Sequence, residues 1–133
     1  MAVPKARRAR GSETILLIED DDAVRALAKV SLEYSGYTVL DAGNADVAIK
    51  ICQKHPGRIH LLLTDIVMPD VNGPKLAEIL LSIRKELKVL YMSGYTDDSI
   101  ARSKLVAGAP FLQKPFAPPK LAEKVREVLD QAS

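Results

Sequence analysis

The sequence predicts a single α/β domain, a parallel sheet covered by helices on both faces. Three observations predict it. Five short apolar runs punctuate the 133 residues, each run is followed by a segment with apolar residues at helical spacing, and 47% hydrophobic content is enough for one core. Runs that are apolar throughout, without polar alternation, belong to strands buried on both faces. Regular β–α alternation makes those strands parallel and their crossovers right-handed.

The elements follow in order. Residues 1–12 (MAVPKARRARGS) lack hydrophobic periodicity and read as a disordered basic arm or linker, with the domain proper at 13–133. The first strand is expected at 14–18. A helix over 22–35 places Val24, Leu27, Ala28 and Leu32 on one face, with Gly36 as its stop. After a strand at 37–40, a helix over 45–55 aligns Val47, Ala48, Ile51 and Cys52 and ends at Pro56-Gly57. The third strand is expected at 59–64. Its helix, 74–86, aligns Leu76, Ile79, Leu80 and Ile83, with Pro74 suited to the first helical position. A strand at 88–92, a weaker helix over 97–107 and a strand at 110–113 come next. The last helix, 118–130, aligns Leu121, Val125, Val128 and Leu129.

The charge is uneven. The chain has 19 Lys+Arg against 17 Asp+Glu, a net +2. Residues 1–12 hold Lys5, Arg7, Arg8 and Arg10 and no acid, so the remainder carries 15 basic against 17 acidic side chains, a net −2. The mild basicity is therefore that of the arm, which reads as a solvated tail rather than a nucleic-acid contact. No apolar run approaches the ~18 residues of a membrane helix. The basic N-terminus has no apolar segment behind it, so it is not a secretory signal. Cys52 is the only cysteine, which excludes an intrachain disulfide and a thiolate metal cluster; it reads as a small buried hydrophobe, and a reducing cytoplasm fits. Trp is absent and aromatics are 5%, a poor supply of base-stacking platforms.

In such sheets the chemistry collects beyond the carboxyl ends of the strands. The first strand ends in Glu19-Asp20-Asp21-Asp22, the third in Thr64-Asp65, the fourth in Ser93-Gly94 and the fifth in Lys114-Pro115. Converging carboxylates repel, and a hard divalent cation with oxygen ligands offsets that repulsion. A lysine and a hydroxyl opposite suit a phosphoryl group, and a carboxylate between them can act as a nucleophile, forming an aspartyl-phosphate. Asp21 and Asp22 have a plainer explanation, because acids at a helix N-terminus cap free amides and suit the dipole. His55 and His60 lack clustered partners and do not read as phosphorelay histidines.

Four segments, ILLIEDDDAVR (15–25), LLLTDIVMPDVNG (61–73), VLYMSG (89–94) and FLQKPF (111–116), together resemble the receiver domain of bacterial two-component response regulators, over roughly residues 13–131. That resemblance implies a flavodoxin-like (βα)5 doubly wound fold with strand order 2-1-3-4-5. It implies Asp65 as the phosphoacceptor, and Asp20, Glu19, Asp65 and the Val67 carbonyl as the site for Mg²⁺, or Mn²⁺ in its place. Ser93 is implied to bond the phosphoryl group and Lys114 to pair with a phosphoryl oxygen, or with Asp65 beforehand. The Lys114–Pro115 bond is implied to be cis, and Phe111 to occupy the aromatic position whose rotamer follows the state of the site.

The implied function is a signalling phosphoacceptor rather than a metabolic enzyme. The phosphoryl group comes from a phosphohistidine on a histidine kinase or phosphotransfer protein, and a repacked surface of the fourth helix, fifth strand and fifth helix engages a downstream protein target. The stretch YMSGYTDDSI…FLQKPF resembles receivers joined to hybrid histidine kinases, so a free-standing regulator and a receiver of a hybrid kinase are both compatible, as is a homodimer. No direct DNA binding and no membrane insertion are expected. A degenerate receiver used as a docking module is the alternative, against which the complete set Asp20, Asp65, Ser93 and Lys114 stands. An aspartate-nucleophile phosphatase commonly carries a second Asp two residues on, where this chain has Val67. Val67 and Tyr95 occupy positions that tune hydrolysis in the family; neither can orient water, so slow autodephosphorylation is expected.

Overall fold

The computed structural model describes residues 11–94 and 109–131. Most of the expected basic arm and the helix expected at 97–107, with Tyr95, lie outside the described residues. The elements are β1 (Thr14–Ile18), α1 (Asp22–Tyr34), β2 (Thr38–Ala42), α2 (Ala45–Lys54), β3 (Leu61–Asp65), α3 (Gly73–Ile83), β4 (Lys88–Ser93), β5 (Phe111–Gln113) and α4 (Pro118–Asp130). The five strands form one parallel sheet in the order β2-β1-β3-β4-β5. Both the α/β class and this strand order are those expected.

The apolar runs are continuous because alternate residues serve two separate cores. Leu16, Ile18 and Leu62 point to the side covered by α2 and α3, with Ala48, Cys52, Leu76 and Leu80. Ile15, Leu17, Leu61 and Leu63 point to the side covered by α1 and α4, with Leu32, Leu121 and Val125. Every residue of β3 is buried, which is the position of a central strand in a covered sheet.

Local chemistry sets the helix ends. Asp21 caps α1, accepting from the amides of Ala23 and Val24. Asn44 and Asn72 cap α2 and α3 in the same way. At the other end of α1, the Tyr37 amide donates to the Leu32 carbonyl and that of Gly36 to Glu33, a Schellman closure. Gly36 sits at φ 99°, a left-handed conformation that suits glycine. Helix α3 stops at Ile83, short of the expected Glu86, because Arg84 turns away. Its guanidinium donates to the carbonyls of Cys52 (2.8 Å), His55 (2.5 Å) and Gly57 (2.8 Å), satisfying the C-terminal end of α2.

The opposite edge of the sheet is also tied. Arg126 of α4 lies 2.6 Å from Glu13, just before β1, and 2.8 Å from Asp130, and the Arg126 guanidinium lowers the Glu13 carboxyl to about 2. Lys88, at the start of β4, donates to the carbonyls of Leu129 and Gln131. His60 Nδ1 accepts from the Thr14 amide at 3.0 Å, a structural role at the strand entrances.

Candidate functional site

Parallel strands bring their carboxyl ends to one edge, so residues far apart in sequence meet there. Glu19 and Asp20 follow β1, Asp65 ends β3, Ser93 ends β4, and Lys114 follows β5. Each is held by backbone bonds that continue the sheet. The Glu19 amide donates to Ala42, the Ile66 amide to Met92, and the Lys114 amide to Ser93. Asp65 and Glu19 are almost wholly buried, and Ser93 is buried as well. Asp20 is exposed, and so is Val67, in the loop after β3.

Lys114 joins the two buried acids. Its Nζ lies 2.7 Å from Asp65 Oδ1 and 2.8 Å from Glu19 Oε1. Among the described residues, Asp65 Oδ1 has this ion pair but no well-aligned hydrogen bond. Glu19 Oε2 accepts from the Asp21 amide at 3.1 Å, so one carboxylate both faces the ammonium and braces the loop into α1. The Lys114–Pro115 peptide is cis.

Three carboxylates around one ammonium leave the site short of positive charge. Burial, and next the neighbouring Glu19 carboxylate, push the Asp65 carboxyl up to about 8 despite Lys114. Burial also raises Glu19, but hydrogen bonds to Asp65 and Lys114 outweigh it and hold Glu19 below its ordinary value. Burial and the adjacent Glu19 raise Asp20. Burial lowers Lys114, but the two carboxylates outweigh it and raise the ammonium. Carboxylate oxygens of Glu19, Asp20 and Asp65 all lie within 4.8 Å of one another. An all-oxygen donor set with one member open to solvent fits a hard, partly hydrated divalent cation, and the raised Asp65 is the electrostatic mark of that demand.

Phe111 opens β5 and is half-buried against the α2/α3-side core, near Tyr91. Asp21 is an N-cap, and Asp22 pairs with Arg25 at 2.8 Å. The sequence was silent on three supports of the site. Glu19 shares Lys114 across 95 positions. Asp70 accepts from the Ala45 amide, tying the loop after β3 to α2. Gly73, which reads as loop punctuation, packs directly on the backbone of Asp65. No local pattern signals contacts of such sequence separation.

The chain matches the family described as "Response regulator receiver domain" over residues 15–126. It is 39% identical over 131 residues to the sensor kinase CckA of Brucella abortus (strain 2308), an alignment covering 97% of this chain and 14% of that protein. It is 34% identical over 116 residues to the response regulator receiver protein CpdR of the same organism, covering 86% of this chain and 95% of that one. Among solved structures, a receiver domain from the hybrid histidine kinase CckA is similar with TM-score 0.73 at 32% identity, over 88% of this chain and 99% of its own. A CheY-like receiver from Methanospirillum hungatei JF-1 gives TM-score 0.75 at 32% identity, over 90% and 95%. Among the described residues, no helix is long and apolar enough to cross a membrane.

Proposed function

The chain belongs to the response regulator receiver domain family, and on that premise we propose that Asp65 accepts the phosphoryl group, served by Lys114, Ser93, Glu19 and Asp20. Receiver domains are phosphoacceptors in two-component and phosphorelay signalling, binding Mg²⁺ at an acidic pocket. One observation carries the assignment within this chain: buried Asp65 and buried Glu19 share the single ammonium of Lys114, with Asp20 completing the carboxylate group.

An Asp65 carboxylate oxygen attacks the phosphorus of a phosphohistidine. The new P–O bond forms as the P–N bond breaks, and the electron pair returns to the imidazole nitrogen. Lys114 moves its donation from Asp65 to a phosphoryl oxygen, and the Ser93 hydroxyl donates to another. This is catalysis by positioning and charge. Glu19, Asp20 and Asp65, with the Val67 carbonyl, would hold Mg²⁺ or Mn²⁺, which supplies positive charge against the carboxylates and the phosphoryl oxygens. The movement of Ser93 toward the phosphoryl group is passed to Phe111 at the β4–β5 edge, where the output surface for a downstream protein forms. The phosphodonor is a histidine kinase or phosphotransfer protein, and the setting is the cytoplasm. The match to a segment of a sensor kinase and to nearly the whole of CpdR supports both a hybrid-kinase receiver and a free-standing one.

Incubation with Mg²⁺ and a small phosphodonor should give one phosphoryl adduct per chain, mapped to Asp65 by mass spectrometry and absent from Asp65→Asn. An adduct elsewhere, or an equal one in the variant, overturns the assignment. The aspartyl-phosphate should be long-lived, because exposed Val67 offers water no hydrogen bond. Val67→Asn should shorten its half-life by about threefold or more, roughly 0.7 kcal/mol in barrier, read by loss of label over time. An unchanged half-life rules out control by Val67.

A further inference from the structure

Asp20 is the exposed member of the carboxylate group, and the peptide before it is gripped from two directions. The Glu19 amide donates to the Ala42 carbonyl at 3.1 Å. The Glu19 carbonyl accepts from Arg25 Nη1 at 2.8 Å. The same guanidinium places Nη2 2.8 Å from Asp22 Oδ1 and Nε 3.3 Å from Asp41 Oδ2 at the end of β2. Lys29 lies 3.2 Å from the other oxygen of Asp41. Arg25 is thus a fork whose three arms meet β1, the start of α1, and β2, and Gly43 leaves room for it: a Cβ there would lie 2.9 Å from Nη1. The side chain is only 20% exposed, so the fork is packed rather than waving in solvent.

We propose that Arg25 is a positioning residue for the cation site, fixing the Glu19–Asp20 peptide so that the two carboxylates face Asp65. The inference rests on the reading of Glu19, Asp20 and Asp65 as a Mg²⁺ site and goes beyond it, since Arg25 touches none of the three carboxylates in the contacts above. Its planar fork can hold a carbonyl and two carboxylates at once, which a lysine cannot. Partners that orient ligands tune metal affinity, and losing one commonly costs about 10–100-fold.

The sign of the effect separates positioning from charge. Removing a cationic side chain beside a cation site lowers repulsion, so electrostatics alone predicts tighter Mg²⁺ binding by Arg25→Ala. Positioning predicts weaker binding. The measurement is calorimetric Mg²⁺ titration of the unphosphorylated chain, with thermal unfolding in chelator run alongside. Arg25→Ala and Arg25→Lys should both weaken Mg²⁺ binding by about tenfold, the second despite its retained charge. Lys29→Ala, which removes a nearby charge and leaves the fork, should bind within about twofold of wild type or more tightly. Wild-type affinity or tighter binding in folded Arg25→Ala overturns the proposal. If that variant does not fold, the same result in Arg25→Lys overturns it. A wild-type chain that takes up no Mg²⁺ overturns the reading of the site itself, and this inference with it.

Discussion

In the absence of divalent cations, thermal stability should fall as pH is raised from about 5 to about 9, and Asp65→Asn should remove most of that fall. The folded Asp65 carboxyl keeps its proton up to about 8, against an ordinary value of 3.8. Between those limits the folded state binds a proton that the unfolded chain has already released. Stability from this group is therefore complete below the unfolded value and is lost as pH rises through the folded one. Asp20 is raised as well, by burial and Glu19, and acts in the same direction as Asp65; the other two partners act elsewhere. Glu19 is lowered from 4.5, so its contribution is lost only as pH falls below that range. Lys114 is raised from 10.5, so its contribution is lost only in stronger alkali. The difference between wild type and Asp65→Asn cancels the distant titrating groups and reports Asp65 together with its coupling to Glu19, Asp20 and Lys114. It should reach about 2 kcal/mol in favour of the variant by pH 9, or some 5–10 °C in Tm. Mg²⁺ should reverse the slope, because its binding requires the proton to leave. A difference that stays flat with pH, measured by calorimetry in chelator, contradicts the crowded-carboxylate account.

Gly73→Ala should be among the most damaging single-methyl changes at the described residues. The Gly73 amide donates to the Ile66 carbonyl at 2.6 Å. A Cβ at this position would run into the carbonyl oxygen and carbon of Asp65 and lie 3.1 Å from Ile66 Cα. These are backbone atoms, with no rotamer by which to retreat, so either the first turn of α3 or Asp65 itself must move. Overpacking of this kind costs about 2–3 kcal/mol. Because the displaced residue is the proposed phosphoacceptor, the phosphorylation rate should also fall by roughly tenfold or more, the scale on which small misplacements act. Denaturant titration gives the first number and phosphodonor kinetics the second. A wild-type midpoint together with a wild-type rate would show that α3 yields without disturbing Asp65.

Much of this architecture is legible in the residues, and the exceptions have physical reasons. Strands buried on both faces leave uninterrupted apolar runs, and the chemistry-bearing residues follow those runs directly. The class of fold and the edge that carries the site are therefore local information. The order 2-1-3-4-5 is not, since periodicity is blind to which strands become neighbours; only the resemblance supplies it. Strand β2 continues to Ala42, beyond the apolar run, because polar Asp41 answers Arg25 and Lys29. Helix α3 ends early because Arg84 completes another helix. The pairing of Glu19 with Lys114 depends on the register of β1, β3, β4 and β5, which no window of sequence contains.

The bridge from Arg126 to Glu13 has a bearing on how the domain can be wired into larger assemblies. It brings the chain's entry into β1 beside its exit from α4, and β1 then runs about 17 Å before the carboxylates are reached. Glu13 and the last turn of α4 thus lie together at the strand entrances, the end of the sheet opposite the one that carries Asp65.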